Sequence, residues 1–350
     1  MRKLKVGYWP ISQSLGSAGD RRRLMFWAEA RGHSVVTDLS QKIDIIVASE
    51  NSDFNSPYFA KSKVPIVFDL IDAYLSPLSS LDDLMRGVAK KMAGQISGDI
   101  KPFSHHVKDF CLNSDAVICS SVEQQEIIHK YCTNTHVILD SHDEIPLIYP
   151  TKPGISFPER NRILWEGQPA TIGGLKLMSS ALAQLSESKS LSLDLVTDET
   201  YFKFLNRYFK RKTHSLLKRD LSQIIDLVTI TPWTPKNLVD FARDCKVGVL
   251  PIDLSVPMQK LKPENRLLIM WRLGLPCLTS PSPAYVRVAT AAGVNVICDS
   301  PDTWLSKLEE LLENPTYAYE QVLRSQDYLF ERHSRDILLN KWDQVVDSVL

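Results

Sequence analysis

Short apolar runs, many of them rich in Val and Ile, alternate with helical patterns along the whole chain of 350 residues. The runs of the first half are residues 4–8, 34–37, 44–48, 65–69, 116–119 and 136–139, and those of the second half are residues 163–165, 193–196, 227–230, 247–250, 277–279 and 296–298. Continuous apolar strands that alternate with helices are typical of parallel sheets with helices on both faces. The sequence therefore predicts an α/β fold of doubly wound parallel sheets.

The alternation is interrupted by a Pro-rich stretch between residues 150 and 162, and a chain of this length usually needs more than one core. We predict a first Rossmann-like domain over residues 1–150, a linker over 151–162, a second Rossmann-like domain over 163–332 and a closing helix over 333–350. Two such domains joined by one linker predict an interdomain cleft, which is a common place for small molecules to bind.

The charge balance gives no reason to expect binding to nucleic acid. The chain has 41 basic and 41 acidic residues, so an anion must be bound by a local cluster. The six cysteines form no Cys-x-x-Cys pair, and several lie in apolar runs, which favours reduced, structural thiols. The first residues lead almost directly into a strand, and no run approaches ~18 apolar residues. We therefore expect a cytoplasmic protein.

Residues 201–219 combine aromatic and basic side chains, and we expect a helix there. A basic, aromatic helix can lie on an anionic membrane, which predicts peripheral contact with the inner membrane face. The alternative is an ordinary amphipathic helix that covers the sheet with a basic outer face.

A cationic loop and a helix start between residues 260 and 285 form the most informative candidate site. Lys260 and Lys262 follow the apolar run 247–250, and the next helix, which Pro263 opens, carries Arg266 in its first turn. Because ligands of parallel α/β sheets bind at the carboxyl ends of the strands, these cations and the helix N–H groups suit a phosphate or pyrophosphate. A solvated loop is the alternative.

Two polar residues at the same helix start are further candidates for ligand binding. Glu264 has a simpler explanation as an acid that complements the helix dipole, and Asn265 has one as a cap of the turn. Ser282 and the backbone near Ala284 begin the next helix, where they either hold a donor or cap the helix.

The first half of the chain offers a second group of candidates. Gly16, Ser17 and Gly19 follow the first strand, where small residues let a backbone approach an anion, although a tight turn explains them equally well. Arg21 comes next. Asp72 follows the fourth apolar run and could orient or deprotonate a hydroxyl, or simply stabilise a turn. His105 is followed directly by His106, which is poor spacing for a pair of metal ligands on a helix, and we expect no metal site.

Several motifs together resemble one enzyme family. They are Gly-Ser-Ala-Gly at 16–19, Arg-Gly-His-Ser-Val at 31–35, Asp-Ala-Val-Ile-Cys-Ser-Ser at 115–121, Ile-Leu-Trp-Glu-Gly at 163–167, the run 233–251, and Pro-Glu-Asn-Arg followed by Gly-Leu-Pro at 263–276. In this order they resemble the GT-B glycosyltransferases, in particular the large retaining family of bacterial envelope and polysaccharide assembly. The resemblance implies that the first domain binds the acceptor, that the second binds a nucleotide-sugar donor, and that the closing helix crosses back onto the first domain.

The chain departs from the pattern of that family at three places. The usual Gly-Arg and Lys-Gly pairs are replaced by Gly167-Gln168 and Gly173-Gly174, and Ile269 stands where a glutamate usually holds the ribose. We therefore expect the donor contacts to have moved. The donor-binding residues that we predict are Gly167, Gly173, Lys176, Lys260, Glu264, Asn265, Ser282 and Ala284.

The function implied by the resemblance is transfer of a sugar from a nucleotide diphosphate to a hydroxyl of a glycan or lipid-linked acceptor, in assembly of cell-envelope polysaccharide. Lys262 and Arg266 would stabilise the departing diphosphate and Asp72 would position the acceptor, with Gly16, Ser17, Gly19, Arg21 and His105 nearby. The nucleotide-sugar is a substrate, and we expect neither a cofactor nor a metal. The alternatives are a nucleotide-sugar 2-epimerase and a degenerate homologue that binds sugar nucleotides without catalysis.

Overall fold

The computed structural model describes residues 2–77, 79–153, 160–203 and 209–350. It divides the chain into two compact units. Unit 1 contains residues Met1–Asp143, Leu261–Pro263 and Ser334–Leu350, and unit 2 contains residues Glu144–Lys260 and Glu264–His333. Half of the linker that we expected over residues 151–162, namely residues 154–159, lies outside the described residues.

Unit 1 is built on a parallel sheet of six strands. The strands are β1 (Lys5–Trp9), β2 (Ser34–Val36), β3 (Ile45–Ser49), β4 (Ile66–Leu70), β5 (Ala116–Cys119) and β6 (Thr135–Val137), in the spatial order β2-β1-β3-β4-β5-β6. All of their pairings are parallel.

Unit 2 contains a parallel sheet of five strands and a separate antiparallel pair. The strands are β7 (Asn161–Glu166), β8 (Leu191–Val196), β9 (Thr200–Lys203), β10 (Phe209–Lys212), β11 (Val228–Thr231), β12 (Val247–Leu250) and β13 (Cys277–Thr279). The parallel sheet has the order β11-β8-β7-β12-β13, and β9 pairs with β10. The strand expected at residues 296–298 is reduced to an isolated parallel bridge between Thr279 and Ile297.

Helices connect the strands of both units. Unit 1 contains α1 (Ala18–Asp20), α2 (Phe26–Arg31), α3 (Pro57–Ala60), α4 (Ser80–Met92), α5 (Phe103–Leu112) and α6 (Val122–Ile128). Unit 2 contains α7 (Ser179–Ser188), α8 (Thr213–Asp220), α9 (Pro235–Asp244), α10 (Pro257–Lys260), α11 (Asn265–Arg272), α12 (Pro283–Ala292), α13 (Pro301–Glu313) and α14 (Pro315–Arg332), and the final helix of the chain, α15 (Arg335–Asp347), belongs to unit 1. The other helical segments are a π-helix over Arg21–Met25 and 3-10 helices over Pro169–Met178 and Ser222–Leu227.

The sheet of unit 1 is buried on both faces, as the apolar runs predicted. Along β3, Ile45 and Val47 pack in one core cluster while Ile46 and Ala48 pack in the other, because successive strand residues point to opposite faces. This confirms the α/β class, since only a sheet covered on both sides needs strands that are apolar at every position.

Helix α15 closes one face of the unit 1 sheet. Its buried residues Leu338, Leu339, Trp342, Val345 and Val346 are three or four apart and therefore form one apolar stripe. Trp342 stacks on Trp27 of α2 with ring centroids 5.8 Å apart, and Trp27 Nε1 donates to Asp343 at 2.7 Å.

The prediction of a single helix over residues 201–219 is wrong. The described residues of that segment form β9, β10 and then α8, which begins only at Thr213, while residues 204–208 lie outside the described residues. Among the helices that the structure describes, none combines the length and the apolar character that crossing a bilayer requires. All six cysteines are buried and unpaired.

Candidate functional site

A salt bridge joins the end of strand β7 to the first turn of helix α11 at the carboxyl edge of the unit 2 sheet. Glu166 is the last residue of β7 and is buried, and its Oε1 accepts a hydrogen bond of 2.9 Å from Nε of Arg266. Its Oε2 accepts a bond of 3.2 Å from the indole Nε1 of Trp233. Ligands bind at this edge in α/β proteins.

The guanidinium group of Arg266 lies directly against the backbone of Gly167. A Cβ atom built on Gly167 would stand 2.7 Å from Nη2 of Arg266 and 3.1 Å from the ring of Trp165. The Arg266 guanidinium also lies over that ring, with its central carbon 5.2 Å from the centroid. Nη2 is buried and has no acceptor among the described residues. A guanidinium nitrogen in this state is suited to an anionic oxygen.

Arg266 therefore brings a cation to the glycine that follows β7, although the residue after that glycine is Gln168. That Arg266 compensates for the missing arginine of the Gly-Arg pair stays a prediction. The sequence did not identify Glu166 or Trp233 as its partners. Glu166 could have been identified from the sequence because it is an acid at the end of an apolar strand.

The other two cations of the predicted cluster have different surroundings. Lys260 is the last residue of α10 and is exposed. Lys262 belongs to the short segment that forms part of unit 1, whereas Lys260 and Arg266 belong to unit 2. Glu264 is buried and accepts a hydrogen bond of 3.4 Å from Arg287. Its carboxylate therefore has a structural partner.

The start of helix α12 uses the predicted residues for folding. Ser282 is its N-cap, and the Ser282 hydroxyl accepts a bond of 3.4 Å from the backbone N–H of Tyr285. Ser282 and Ala284 are both buried. Asn265 is the first residue of α11, and Ile269 in the same helix is buried in the core. The position at which the family usually has a glutamate is thus a packing position in this chain.

The 3-10 helix after β7 contains the remaining predicted donor residues. A Cβ on Gly173 would meet open space, whereas a Cβ on Gly174 would stand 2.3 Å from the carbonyl oxygen of Pro251, so only Gly174 is required by packing. Lys176 forms an ion pair of 2.8 Å with Asp220. A hydrogen bond from Arg219, together with Lys176, lowers the pKa of Asp220 to about 2.

The loop after β1 in unit 1 binds an anion that belongs to the chain itself. The buried carboxylate of Asp20 accepts hydrogen bonds from the backbone N–H groups of Ile11 and Ser12 at 2.8 and 3.0 Å, from Tyr8 at 2.7 Å and from Ser17 at 2.6 Å. Burial opposes the charge, but the bonds from Ser17 and Tyr8 hold the pKa of Asp20 below its ordinary value. Asp20 thus satisfies two N–H groups of this loop from within the chain, and anion binding at Gly16, Ser17 and Gly19 stays a prediction.

Close packing explains one of the two glycines of this loop. A Cβ on Gly19 would stand 2.4 Å from Ile11 and 2.8 Å from Ile71, so close packing requires glycine there. The carbonyl oxygen of Gly16 accepts a bond of 2.6 Å from Arg21. His105 lies exposed on α5.

A buried ion-pair network lies under the carboxyl edge of the unit 1 sheet. Arg23 is fully buried and binds Asp69 through Nε and Nη2, at 2.9 and 2.5 Å, while its Nη1 donates to the carbonyl of Ile138 at 2.7 Å. A second carboxylate, Asp140, lies 3.3 Å from Nη1. The Asp69 carboxylate is therefore occupied by Arg23 in the core.

Two carboxyl groups meet at the ends of β3 and β4. The backbone N–H of Asp72 donates to Oε2 of Glu50 at 2.8 Å, and Lys90 Nζ donates to the neighbouring Asn51 at 2.9 Å. Burial, followed by the nearby charge of Asp72, raises the pKa of Glu50 to about 8. A carboxyl group whose pKa lies near neutrality suits proton transfer. Asp72 could be identified from the sequence, whereas Glu50 was missed, although Glu50 follows β3 directly.

No family model and no curated protein matches the sequence, but solved structures do match the fold. TarM is 11% identical with a TM-score of 0.57 and covers 86% of this chain, which spans only 54% of that protein, about half its length. WaaG, a glycosyltransferase involved in lipopolysaccharide biosynthesis, is 14% identical with a TM-score of 0.57 over 99% of both chains. HepE from Anabaena in complex with UDP is 13% identical with a TM-score of 0.67, over 99% of this chain and 100% of that one. Together with the two parallel sheets, this likeness shows that the chain has the GT-B fold.

Proposed function

We propose that the chain is a glycosyltransferase that moves a sugar from a nucleoside-diphosphate donor to a hydroxyl of a glycan or lipid-linked acceptor. The observation that carries the proposal is the Arg266 guanidinium, held by Glu166 against Gly167 with a buried nitrogen that lacks an acceptor among the described residues. The structural neighbours support the same reaction class, and two structures of HepE contain UDP-glucose or UDP with glucose. A role in envelope polysaccharide assembly has the support of WaaG.

In the proposed reaction, Arg266 stabilises the leaving diphosphate. The bond between the anomeric carbon and the diphosphate oxygen breaks, and its electron pair stays on that oxygen. A cation that is already in place when this charge develops lowers the barrier by several kcal/mol. The salt bridge with Glu166 and the contact with Trp165 fix the side chain beforehand, so little further ordering is needed when the donor binds. In this proposal the charge is supplied by the protein, with Lys260 and Lys262 as further candidates and no metal.

Asp72 and Glu50 are the groups proposed for the acceptor. The hydrogen bond from the Asp72 backbone fixes one Glu50 oxygen, and both side chains are only half-buried at the carboxyl edge of their sheet. When it is ionised, Glu50 can accept the proton of an acceptor hydroxyl as the new glycosidic bond forms.

The experiment is a donor screen followed by a turnover assay. Thermal unfolding is measured with UDP-, GDP-, ADP-, CDP- and dTDP-sugars, because a ligand that binds only the folded state raises the melting temperature. Release of the free nucleotide diphosphate is then followed for the donor that binds. Arg266→Ala should lower the rate roughly tenfold or more. The exposed Arg243→Ala in the same unit is the matched control and should leave the rate unchanged.

Two outcomes would contradict the proposal. If no sugar nucleotide shifts the melting temperature, the donor assignment fails. If a donor binds and neither hydrolysis nor transfer occurs, the chain is a binding protein. Ile269 is buried where the family usually has a glutamate, and this difference favours the binding protein as the second candidate function.

A further inference from the structure

Two cations of helix α4 lie against one aromatic ring at the carboxyl edge of the unit 1 sheet. The central guanidinium carbon of Arg86 lies 5.3 Å from the centroid of the Tyr74 ring, and Nζ of Lys90 lies 5.8 Å from the same centroid. Tyr74 belongs to the loop after β4, where its backbone N–H donates to the carbonyl oxygen of Asp72 at 2.8 Å. The two cations therefore lie beside Asp72 and Glu50, the acids proposed for the acceptor.

The guanidinium group of Arg86 lacks a hydrogen-bond acceptor. The side chain is half-buried, its Nη1 is buried, and no residue in the described part of the chain accepts a hydrogen bond from it or forms an ion pair with it. Contact with the face of the Tyr74 ring attracts the charge but does not replace acceptors for the N–H groups. Because a buried donor without an acceptor costs free energy, this nitrogen is suited to an oxygen atom of a ligand.

The acids that precede Arg86 in α4 are bound to other residues. Asp82 Oδ2 accepts a hydrogen bond of 2.5 Å from the hydroxyl of Ser79. The buried Asp83 accepts one of 3.0 Å from the backbone N–H of Ser104. The helix therefore provides no carboxylate partner for this guanidinium among its described residues.

Lys90 adds a second positive charge to the same place. It lies four residues after Arg86, a spacing at which like charges repel each other on a helix, and its Nζ donates to Asn51 at 2.9 Å. Burial, followed by the charge of Asp72, raises the pKa of Glu50 to about 8, so this carboxyl group is largely protonated at neutral pH. The cluster consequently has an excess of positive charge, which a bound anion would offset.

We propose that Arg86 and Lys90 bind an anionic group, a phosphate or a carboxylate, on the acceptor saccharide. Arg86 presents the N–H groups that match the oxygens of either anion, and Lys90 supplies a neighbouring point charge. The proposal rests on the proposed sugar transfer, because it assigns the acceptor of that reaction. It narrows the acceptor from any glycan with a hydroxyl group to an anionic one.

The test is calorimetric titration of the unmodified protein with glucose 6-phosphate, glucuronate and glucose. At least one of the anionic sugars should bind saturably, and glucose should bind about tenfold more weakly or worse, because it lacks the charged contact. The tighter of the two anionic sugars distinguishes phosphate from carboxylate. Arg86→Gln should weaken this binding about tenfold or more, and Arg86→Lys, which keeps the charge, should weaken it less.

The matched control is Lys91→Gln, which removes an exposed cation from the same helix and should bind the anionic sugar like the unmodified protein. Arg266→Ala separates this proposal from the donor assignment. It should weaken the binding of UDP and leave the binding of the anionic sugar unchanged, because Arg266 belongs to unit 2 and Arg86 to unit 1. Melting temperatures verify that the variants are folded.

Four results would overturn the proposal while the titration with UDP still tests the donor site. Neither anionic sugar binds, or glucose binds as tightly as both of them. Arg86→Gln binds the anionic sugar as well as Lys91→Gln does. In the fourth, Arg266→Ala loses the anionic sugar and Arg86→Gln keeps it, because the anion would then occupy the donor site of unit 2.

Discussion

Replacing Gly167 by alanine tests whether the backbone and Arg266 are fitted to each other. Gly167 has φ of +154°, a conformation that residues with a Cβ rarely adopt, and the new methyl group would stand 2.7 Å from Arg266 Nη2. The guanidinium cannot move away freely, because Glu166 holds Nε at 2.9 Å and Trp165 lies against its face. Gly167→Ala must therefore strain the backbone, displace Arg266, or do both.

We expect a loss of about 2 kcal/mol in the free energy of unfolding, which is the usual scale for a residue held in a sparsely populated conformation. For a unit of this size, that corresponds to a fall of roughly 4–8 °C in melting temperature. The stabilisation by the donor nucleotide should also decrease, because the guanidinium is displaced from its position.

Gly173→Ala is the matched control for this measurement. A Cβ there meets nothing within 4 Å, so its melting temperature should stay close to that of the unmodified protein. Differential scanning calorimetry with and without UDP measures both effects. If Gly167→Ala melts like Gly173→Ala and responds to UDP like the unmodified protein, the close fit between Gly167 and Arg266 has no energetic meaning and the reasoning fails.

Three further predictions concern unit 1. Arg23→Ala should destabilise the protein by about 3–5 kcal/mol in urea unfolding, because Asp69 is left as an unpaired buried charge, and an unchanged midpoint would refute this network. Trp342→Ala should cost about 3–5 kcal/mol through the cavity that it leaves beside Trp27, and Trp342→Phe should cost less. The pKa of Glu50 is higher in the folded protein than the ordinary value of 4.5, so its contribution to stability is lost as pH rises from about 4.5 to about 8. Glu50→Gln should flatten the decline in stability over that window by at most about 1.4 kcal/mol per pH unit, and identical profiles would contradict the assignment.

The strands could be predicted well because burial on both faces leaves a local signal. Ala116–Cys119, Val247–Leu250 and Cys277–Thr279 have the bounds that the sequence indicated. The prediction for residues 201–219 failed because aromatic and basic residues fit a helix and an antiparallel pair of strands equally well. The pairing of β9 with β10 decides between the two structures.

The site was predicted only in part because its contacts are not local. Arg266 was identified from its place at a helix start, but its partner Glu166 lies 100 residues earlier in the chain. The carboxylate of Asp20 accepts hydrogen bonds from two backbone N–H groups that lie eight and nine residues earlier in the chain. No short sequence motif indicates such contacts. Glu50 could have been found by the argument that selected Asp72, because both are acids at the carboxyl ends of neighbouring strands.

Titration of UDP into the unmodified protein and into Arg266→Ala by isothermal calorimetry tests the central claim most directly. The account predicts saturable binding that weakens about tenfold or more in Arg266→Ala, because a charge-assisted contact to the diphosphate is lost, while Arg243→Ala binds like the unmodified protein. Equal affinity of all three proteins for UDP, or no binding by any of them, would contradict it.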